Sequence, residues 1–278
     1  MINFKKIEKK DIECINEYLL LDTTRSCEKT AGAIMMWRDF YDIKWAIFDK
    51  TLIIKYDNEE KPTFLLPIGE NVKGAIEALG KVSYIGVCKE SLDLFDGYDA
   101  DIIPYRDNFD YIYDAQAMRT FQGKALHSKR NFLNRFKSSY EYEFILDGNK
   151  EDLIEFFKQI DQKQPHYDET GVAELNETID MIENRELFKI HSGEIRVNGK
   201  IISATVGAQI DDTLYVHIEK ADKEYVGSYQ VIVSEFAKAF PTAKFINRED
   251  DLGDEGLRKS KLSYNPLYLL EKYMVIRH

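Results

Sequence analysis

FKIHSGEIRVNGKIISATVGAQIDDTLYVHIE, residues 188–219, holds three runs rich in β-branched and aromatic residues separated by two turn signals. Asn198-Gly199 is the dipeptide that tolerates the left-handed conformations of a two-residue hairpin turn, and Asp211-Asp212 marks a second turn. The stretch therefore predicts three antiparallel strands: Phe188 to Val197, Lys200 to Ile210 and Thr213 to Glu219. Period-two alternation places Leu214, Val216 and Ile218 on one face of the last strand and Tyr215, His217 and Glu219 on the other. Ser203, Thr205 and Gln209 alternate in the same way on the strand before it. A sheet with one apolar and one hydrogen-bonding face meets solvent or lines a polar cleft.

Outward from this meander, helical periodicity covers Lys150 to Lys163 and Val172 to Asn184 before it, and Ser228 to Phe240 after it. A strand (Lys244 to Asn247), a helix (Asp254 to Ser263) and a strand (Tyr268 to Ile276) follow. The first half of the chain runs through a similar order. Helices are expected at Lys10 to Leu21, with Ile12, Ile15 and Leu19 on one stripe, and at Thr30 to Tyr41. Strands Lys44 to Phe48 and Thr51 to Tyr56 flank an Asp49-Lys50 turn, and Pro62 to Pro67 follows the polar turn Asp57 to Glu60. Helix Asn71 to Gly80, strand Val82 to Val87, a short helix near Ser91 to Phe95 and a strand near Ile102 to Tyr105 complete it. The repeated order predicts an α/β protein of two lobes with mixed, largely antiparallel sheets, residues 1–108 and 141–278. Residues 109–140 form a basic segment between them, and the candidate active site falls in the second lobe.

The 278 residues are 44% hydrophobic and 13% aromatic, enough for one large core or two of modest size. Cys14, Cys27 and Cys88 form no C-x-x-C pair and are odd in number, which argues against a disulfide framework or a structural zinc site and for a reducing, cytoplasmic setting. No uncharged apolar run approaches the roughly 18–20 residues that span a bilayer, and the N-terminus has no apolar leader pattern, so no transmembrane segment is expected. A net charge of −11 disfavours a general nucleic-acid binder. The local balance is different: Ala115 to Tyr140 contains Arg119, Lys124, Lys129, Arg130, Arg135, Lys137 and His127, and no acid. There is no P-loop, G-x-G-x-x-G, G-x-S-x-G or H-E-x-x-H, so neither a cofactor nor a metal is expected.

Three constellations can carry chemistry. In GKALHSKRNFLNRF, Gly123 to Phe136, the helix beginning at Ser128 is expected to bury Phe132, Leu133, Phe136 and Tyr140, leaving Arg130, Arg135 and Lys137 on polar faces and Lys129 nearer the apolar stripe, so Lys129 and Arg130 can pair with phosphate. Ordinary surface cations give the same pattern. In Asn247-Arg248-Glu249-Asp250-Asp251-Leu252-Gly253 and the helix after it, acids leave a strand end and Arg258 and Lys261 stand i, i+3 on one helix face. Helix capping and dipole complementation would select the same residues. The third constellation is the polar strand face of Tyr215, His217 and Glu219.

Helix, helix, three antiparallel strands, helix, strand is the order of the GNAT acyltransferase fold, and two such units in tandem are similar to the Fem-type aminoacyl transferases. Three motifs sharpen this likeness. DYIY (110–113) with G-K-x-x-H-x-K-R-N-x-x-N-R-F, then HIEKA (217–221) with a following G-x-Y, then N-x-E-D-D-L-G-x-x-G-L-R-x-x-K-x-x-Y-x-P resemble the C-terminal catalytic domain of phosphatidylglycerol lysyltransferases and their stand-alone relatives. The resemblance implies tandem acyltransferase lobes around a cleft, with transfer of an aminoacyl group from aminoacyl-tRNA to a small-molecule or lipid acceptor. On that reading Glu249 or Asp251 accepts the acceptor's proton, and Lys261 with Arg258 stabilises the oxyanion. Lys129 and Arg130 hold phosphate, and His217 and Glu219, beside Tyr215 and Tyr264, orient the substrates. Acetyl-CoA enzymes of this fold open the helix after the long hairpin with R/Q-x-x-G-x-G/A, whereas this chain has Glu224-Tyr225-Val226-Gly227-Ser228-Tyr229. An acetyl-CoA N-acetyltransferase and a non-catalytic phosphate-ligand module stay open as alternatives.

Overall fold

The computed structural model describes residues 2–57, 61–163 and 169–278. The expected turn Asp57 to Glu60 lies, past its first residue, outside them. The chain divides into two compact units, one made of Met1–Asp110, Asp250–Gly253 and Leu269–His278, the other of Tyr111–Glu249 and Asp254–Tyr268. Among the described residues no helix is long and apolar enough to cross a membrane.

In the first unit β1 (Lys5–Lys6) precedes α1 (Ile12–Leu19), whose Ile12, Ile15 and Leu19 are buried as the stripe requires, and α2 (Ala31–Trp37), capped by Thr30 accepting from the Ala33 N–H. β2 (Lys44–Phe48) and β3 (Thr51–Tyr56) turn at Asp49 and Lys50, both left-handed at φ 46° and 55°. β4 (Thr63–Leu65), β5 (Ile68–Gly69), α3 (Val72–Leu79), β6 (Ser83–Cys88) and β7 (Ala100–Pro104) follow. Asn71 caps α3 and Gly80, at φ 74°, ends it.

The second unit begins its sheet with β8 (Asp110–Asp114), then α4 (Ala115–Thr120), α5 (His127–Ser139), β9 (Glu143–Leu146), α6 (Lys150–Gln162), α7 (Glu169–Glu183) and α8 (Arg185–Phe188). The meander is β10 (His191–Val197), β11 (Lys200–Ile210) and β12 (Thr213–Ala221), followed by α9 (Ser228–Ala239), β13 (Phe245–Asn247), α10 (Glu255–Leu262) and β14 (Tyr268–Leu270). Its strand order is β14-β8-β13-β12-β11-β10-β9. Only β12 and β13 in that row pair in parallel where register is given. β15 (Lys272–Arg277) returns to the first unit, whose sheet runs β1-β2-β3-β4-β6-β15-β7 with β5 on β3.

Three readings of the sequence change here. The strand expected over Tyr268 to Ile276 is two strands in two different sheets, and β15 pairs antiparallel with both β6 and β7. The final stretch of the expected 141–278 lobe is therefore an inner strand of the first unit. The basic segment 109–140 contributes β8 and α4 to the second unit, β8 pairing with β13. The strand expected from Phe188 starts at His191, because α8 occupies 185–188 and Lys189 breaks it at φ 54°.

Alternation along β12 is also interrupted. Val216 lies opposite Gly207 and Ile218 opposite Val206, so His217 is an extra residue, a β-bulge. Beyond it Glu219 faces Thr205, on the side of Leu214 and Val216 rather than of Tyr215. That side carries α9: Leu214, Val216, Glu219, Val233 and Phe236 line one small internal void. Gly207 permits the approach, since a Cβ there would lie 2.2 Å from the Tyr215 carbonyl oxygen and 3.2 Å from the Phe236 ring. Lys220, on the opposite face, reaches Glu174 of α7 at 2.7 Å and Asp161 of α6 at 3.5 Å, so helices cover both faces.

Candidate active site

The bulge carries Glu219 to the α9 side of the sheet, where Arg248, two residues past Ile246 on β13, meets it. Arg248 Nη2 donates to Glu219 Oε1 at 2.8 Å, with side chains 13% and 9% exposed. The guanidinium packs on Tyr264 (4.8 Å to the centroid) and Tyr113 (5.9 Å), and among the described residues its Nη1 is buried without a hydrogen-bond partner. Burial pushes the Glu219 carboxyl above its ordinary value, and Arg248 and Lys261 pull it back only in part.

The residue after Arg248 has left the strand. Glu249 is left-handed at φ 57°, its N–H donating to Asn247 Oδ1 at 2.6 Å. The turn brings its carboxylate to the bulged His217, with Oε1 2.8 Å from Nδ1. The ring is wholly buried and the carboxylate 22% exposed. An ionised Glu249 carboxylate accepts, which places the shared proton on Nδ1; among the described residues Nε2 is buried without a partner. Lys261, on α10, donates through Nζ to the Arg248 carbonyl at 2.6 Å, the carbonyl immediately before Glu249. The far end of α10 is held by Tyr113, whose hydroxyl donates to the Lys261 carbonyl at 2.8 Å.

Lys129 of α5 stands 4.0 Å over the Tyr264 ring. Burial, and then repulsion from Arg248, lowers its ammonium below the ordinary lysine value. Tyr264 accepts from Gln230 of α9 at 2.9 Å, and burial pushes its phenol up to about 12. Tyr113 and Tyr264 also line a cavity of about 260 Å³ bordered by α4, the α4–α5 turn and the segment before β14.

Of the residues singled out in the sequence, the fold brings together Glu249 with His217, Lys261 with the Arg248 carbonyl, and Lys129 with Tyr264. Others go elsewhere. Arg130 Nη1 donates to the carbonyls of Phe121 (2.8 Å) and Gly123 (3.2 Å), bracing the α4–α5 turn. Tyr215 is buried on the sheet face away from Glu219. Asp251 belongs to the first unit, fully buried, paired with Arg106 at 3.1 Å and accepting from the Gly253 N–H at 3.0 Å. Arg258 stands on α10 one turn before Lys261, half-buried. Sequence reasoning left Arg248, Tyr113 and Gln230 without a role, although the first two lie inside quoted motifs; Gln230 carries no signal beyond its place on α9.

The chain matches the phosphatidylglycerol lysyltransferase C-terminal family over residues 21–276. It belongs to that family. The three motifs lie within the matched span. A conserved protein of unknown function from Bacteroides thetaiotaomicron is 31% identical and superposes with a TM-score of 0.89, covering 100% of both chains. L-PGS from Bacillus licheniformis, at 13% identity, covers 98% of this chain and 93% of its own with a TM-score of 0.68, which shows the fold. Tandem GNAT architecture is shared likewise, at a TM-score of 0.53 with the protein of the clavulanic acid pathway. The uncharacterized protein MYCGA3080 of Mycoplasmoides gallisepticum is 26% identical over 189 residues, 64% of this chain and 59% of that one, so this family member spans less than two thirds of that relative's length.

Proposed function

We propose that the protein transfers an aminoacyl group from aminoacyl-tRNA to an amine or lipid hydroxyl acceptor, with the chemistry on the second unit. One observation carries the reading: a carboxylate held by a buried imidazole, Glu249 on His217, with a lysine ammonium anchored 2.6 Å from the carbonyl that precedes it. Acyl transfer from an ester needs a group that takes the acceptor's proton and a cation where the tetrahedral oxyanion forms. Glu249, partly exposed, is the proton acceptor, and His217 holds it in one orientation. Lys261 supplies the cation. Glu219, fixed by Arg248, orients the aminoacyl amine, and the Lys129 ammonium, over the Tyr264 ring, pairs with a phosphate.

The step balances simply. The acceptor's oxygen or nitrogen adds to the ester carbonyl as Glu249 removes its proton, the intermediate collapses, and the tRNA ribose oxygen leaves with that proton. Transfer of labelled amino acids from a full set of charged tRNAs to phosphatidylglycerol vesicles and to free amines tests this. Activity that falls on the order of 10²-fold in Glu249→Gln and in Lys261→Met, with melting temperatures within a few degrees of wild type, supports the roles. Undiminished transfer in both variants overturns them.

A further inference from the structure

The two ends of the first unit's sheet are unlike. β1, at one end of the row, is a pair of exposed lysines, Lys5 and Lys6, a residue type that discourages strand addition. β7, at the other end, reads Ala-Asp-Ile-Ile-Pro and is exposed at every residue after Ala100. Ile102 and Ile103 are each 45% exposed. The first lies beside the buried Val275 of β15 and the second beside Met274, so apolar surface is open on both faces of the strand.

Hydrogen bonding decides which backbone groups this edge offers. The Tyr105 N–H donates to the Lys272 carbonyl and the His278 N–H to the Asp99 carbonyl, each at 2.9 Å and both between β7's ends and β15's. Period two therefore turns Asp101 and Ile103 toward β15 as well, and turns Ala100, Ile102 and Pro104 outward. Among the described residues no strand pairs with that outer side. It presents the N–H groups of Ala100 and Ile102 and the carbonyls of all three residues. Pro104, which has no N–H, ends the row of donors.

We propose that β7 is the contact through which two copies of this chain associate, antiparallel about a two-fold axis at Ile102. In that register Ile102 faces the partner's Ile102 and the two exchange N–H···O=C bonds, while each Ala100 N–H reaches the partner's Pro104 carbonyl. Other registers are worse. Centring the axis on Asp101 brings it within about 4.5 Å, Cα to Cα, of the partner's Asp101, where like charges repel. Centring it on Ile103 sets Ile102 against the partner's Pro104 and halves the hydrogen bonds. With the axis at Ile102, Asp101 faces the partner's Ile103 and Asp99 faces the partner's Tyr105. The exposed acids that precede the strand, Asp93, Asp96 and Asp99, then run away from their counterparts. One short strand from each copy falls below the roughly 1,200–2,000 Å² of a stable interface, so the expected dissociation constant is on the order of 10–100 µM.

Sedimentation velocity of the full chain from about 1 to about 500 µM, in about 0.15 M salt to screen the net charge of −11, tests this. The wild-type mass should climb from monomer toward dimer. Ile102→Lys and Ile102→Pro should stay monomeric with melting temperatures within a few degrees of wild type. Leu20→Lys, the same added charge at another exposed leucine of this unit, should associate as wild type does. Amide exchange reads the register in the unaltered protein: on concentrating it, the Ala100 and Ile102 N–H groups should slow, while those of Asp101 and Ile103 should not change. A monomer at every concentration, a dimer that both Ile102 variants retain, or slowing confined to other segments overturns the proposal.

Discussion

Arg248 and Glu219 stand almost wholly out of water, so removing one leaves the other as a bare charge in a medium that solvates it poorly. Arg248→Met should cost about 3–5 kcal/mol, and adding Glu219→Gln to it should recover most of that loss, since a buried pair is dearer to break than to delete. Urea denaturation of the three proteins checks this. Glu219 has a pH signature too. The folded protein keeps its proton to higher pH than the unfolded chain does, so this group makes wild-type stability decline as pH rises from the ordinary carboxyl range through the raised value. Urea midpoints between pH 4 and 8 should show that decline reduced in Glu219→Gln; parallel profiles would deny the burial effect. His217, Glu249, Lys129 and Lys261 could be picked from the sequence as chemical residue types at strand ends and on a basic helix. The pairing of Glu219 with Arg248 could not, because it depends on one inserted residue in β12 that leaves no composition signal.

At the scale of elements, the contact between α5 and the start of α9 decides what the latter can bind. Gly227 precedes α9 at φ 96°, and a Cβ on it would lie 2.4 Å from the Phe132 carbonyl oxygen and 2.9 Å from Phe136 Cβ. Gly227→Ala should thus cost more than about 2 kcal/mol, combining a left-handed penalty with a backbone clash. Thermal melts read this directly. The same crowding, added to a loop with an acid and one glycine, leaves little room for a pyrophosphate at that helix start. Acetyl-CoA should bind no tighter than roughly millimolar by calorimetry. A low-micromolar constant would put the acetyltransferase alternative first. Most elements were legible, since caps such as Asn71, Asn149 and Asp254 and turn signals such as Asn198-Gly199 act locally. α4 was not. Six residues are too short for a periodic stripe, and Arg119 in it is spent on tertiary bonds to the Ala237, Phe240 and Ala243 carbonyls at the end of α9.

For the whole molecule, the repeated order of elements foretold two lobes with separate sheets, and the partition of the last strand escaped because pairing partners are distant in sequence. β15 bonds to β6 and β7, and its Lys272 is fully buried beside Asp110 and Glu28, both at 2.6 Å. Removing residues 269–278 should abolish cooperative unfolding of the first unit, with amide exchange of β6 and β7 rising toward that of an unfolded chain; retained protection there would show that those strands hold without it.

The lysine of β15 also sets a timetable for synthesis. Asp110 and Glu28 leave the ribosome long before Lys272, the buried cation that both pair with, separated from it by 162 and 244 residues, so the early chain carries two carboxylates destined for burial before that shared partner is made. During that interval the first sheet lacks its inner strand and the nascent protein has a stretch in which misassembly competes with folding, whereas most of the second unit, continuous from Tyr111 to Glu249, is already complete. Maturation of the first unit is tied to the synthesis of β15.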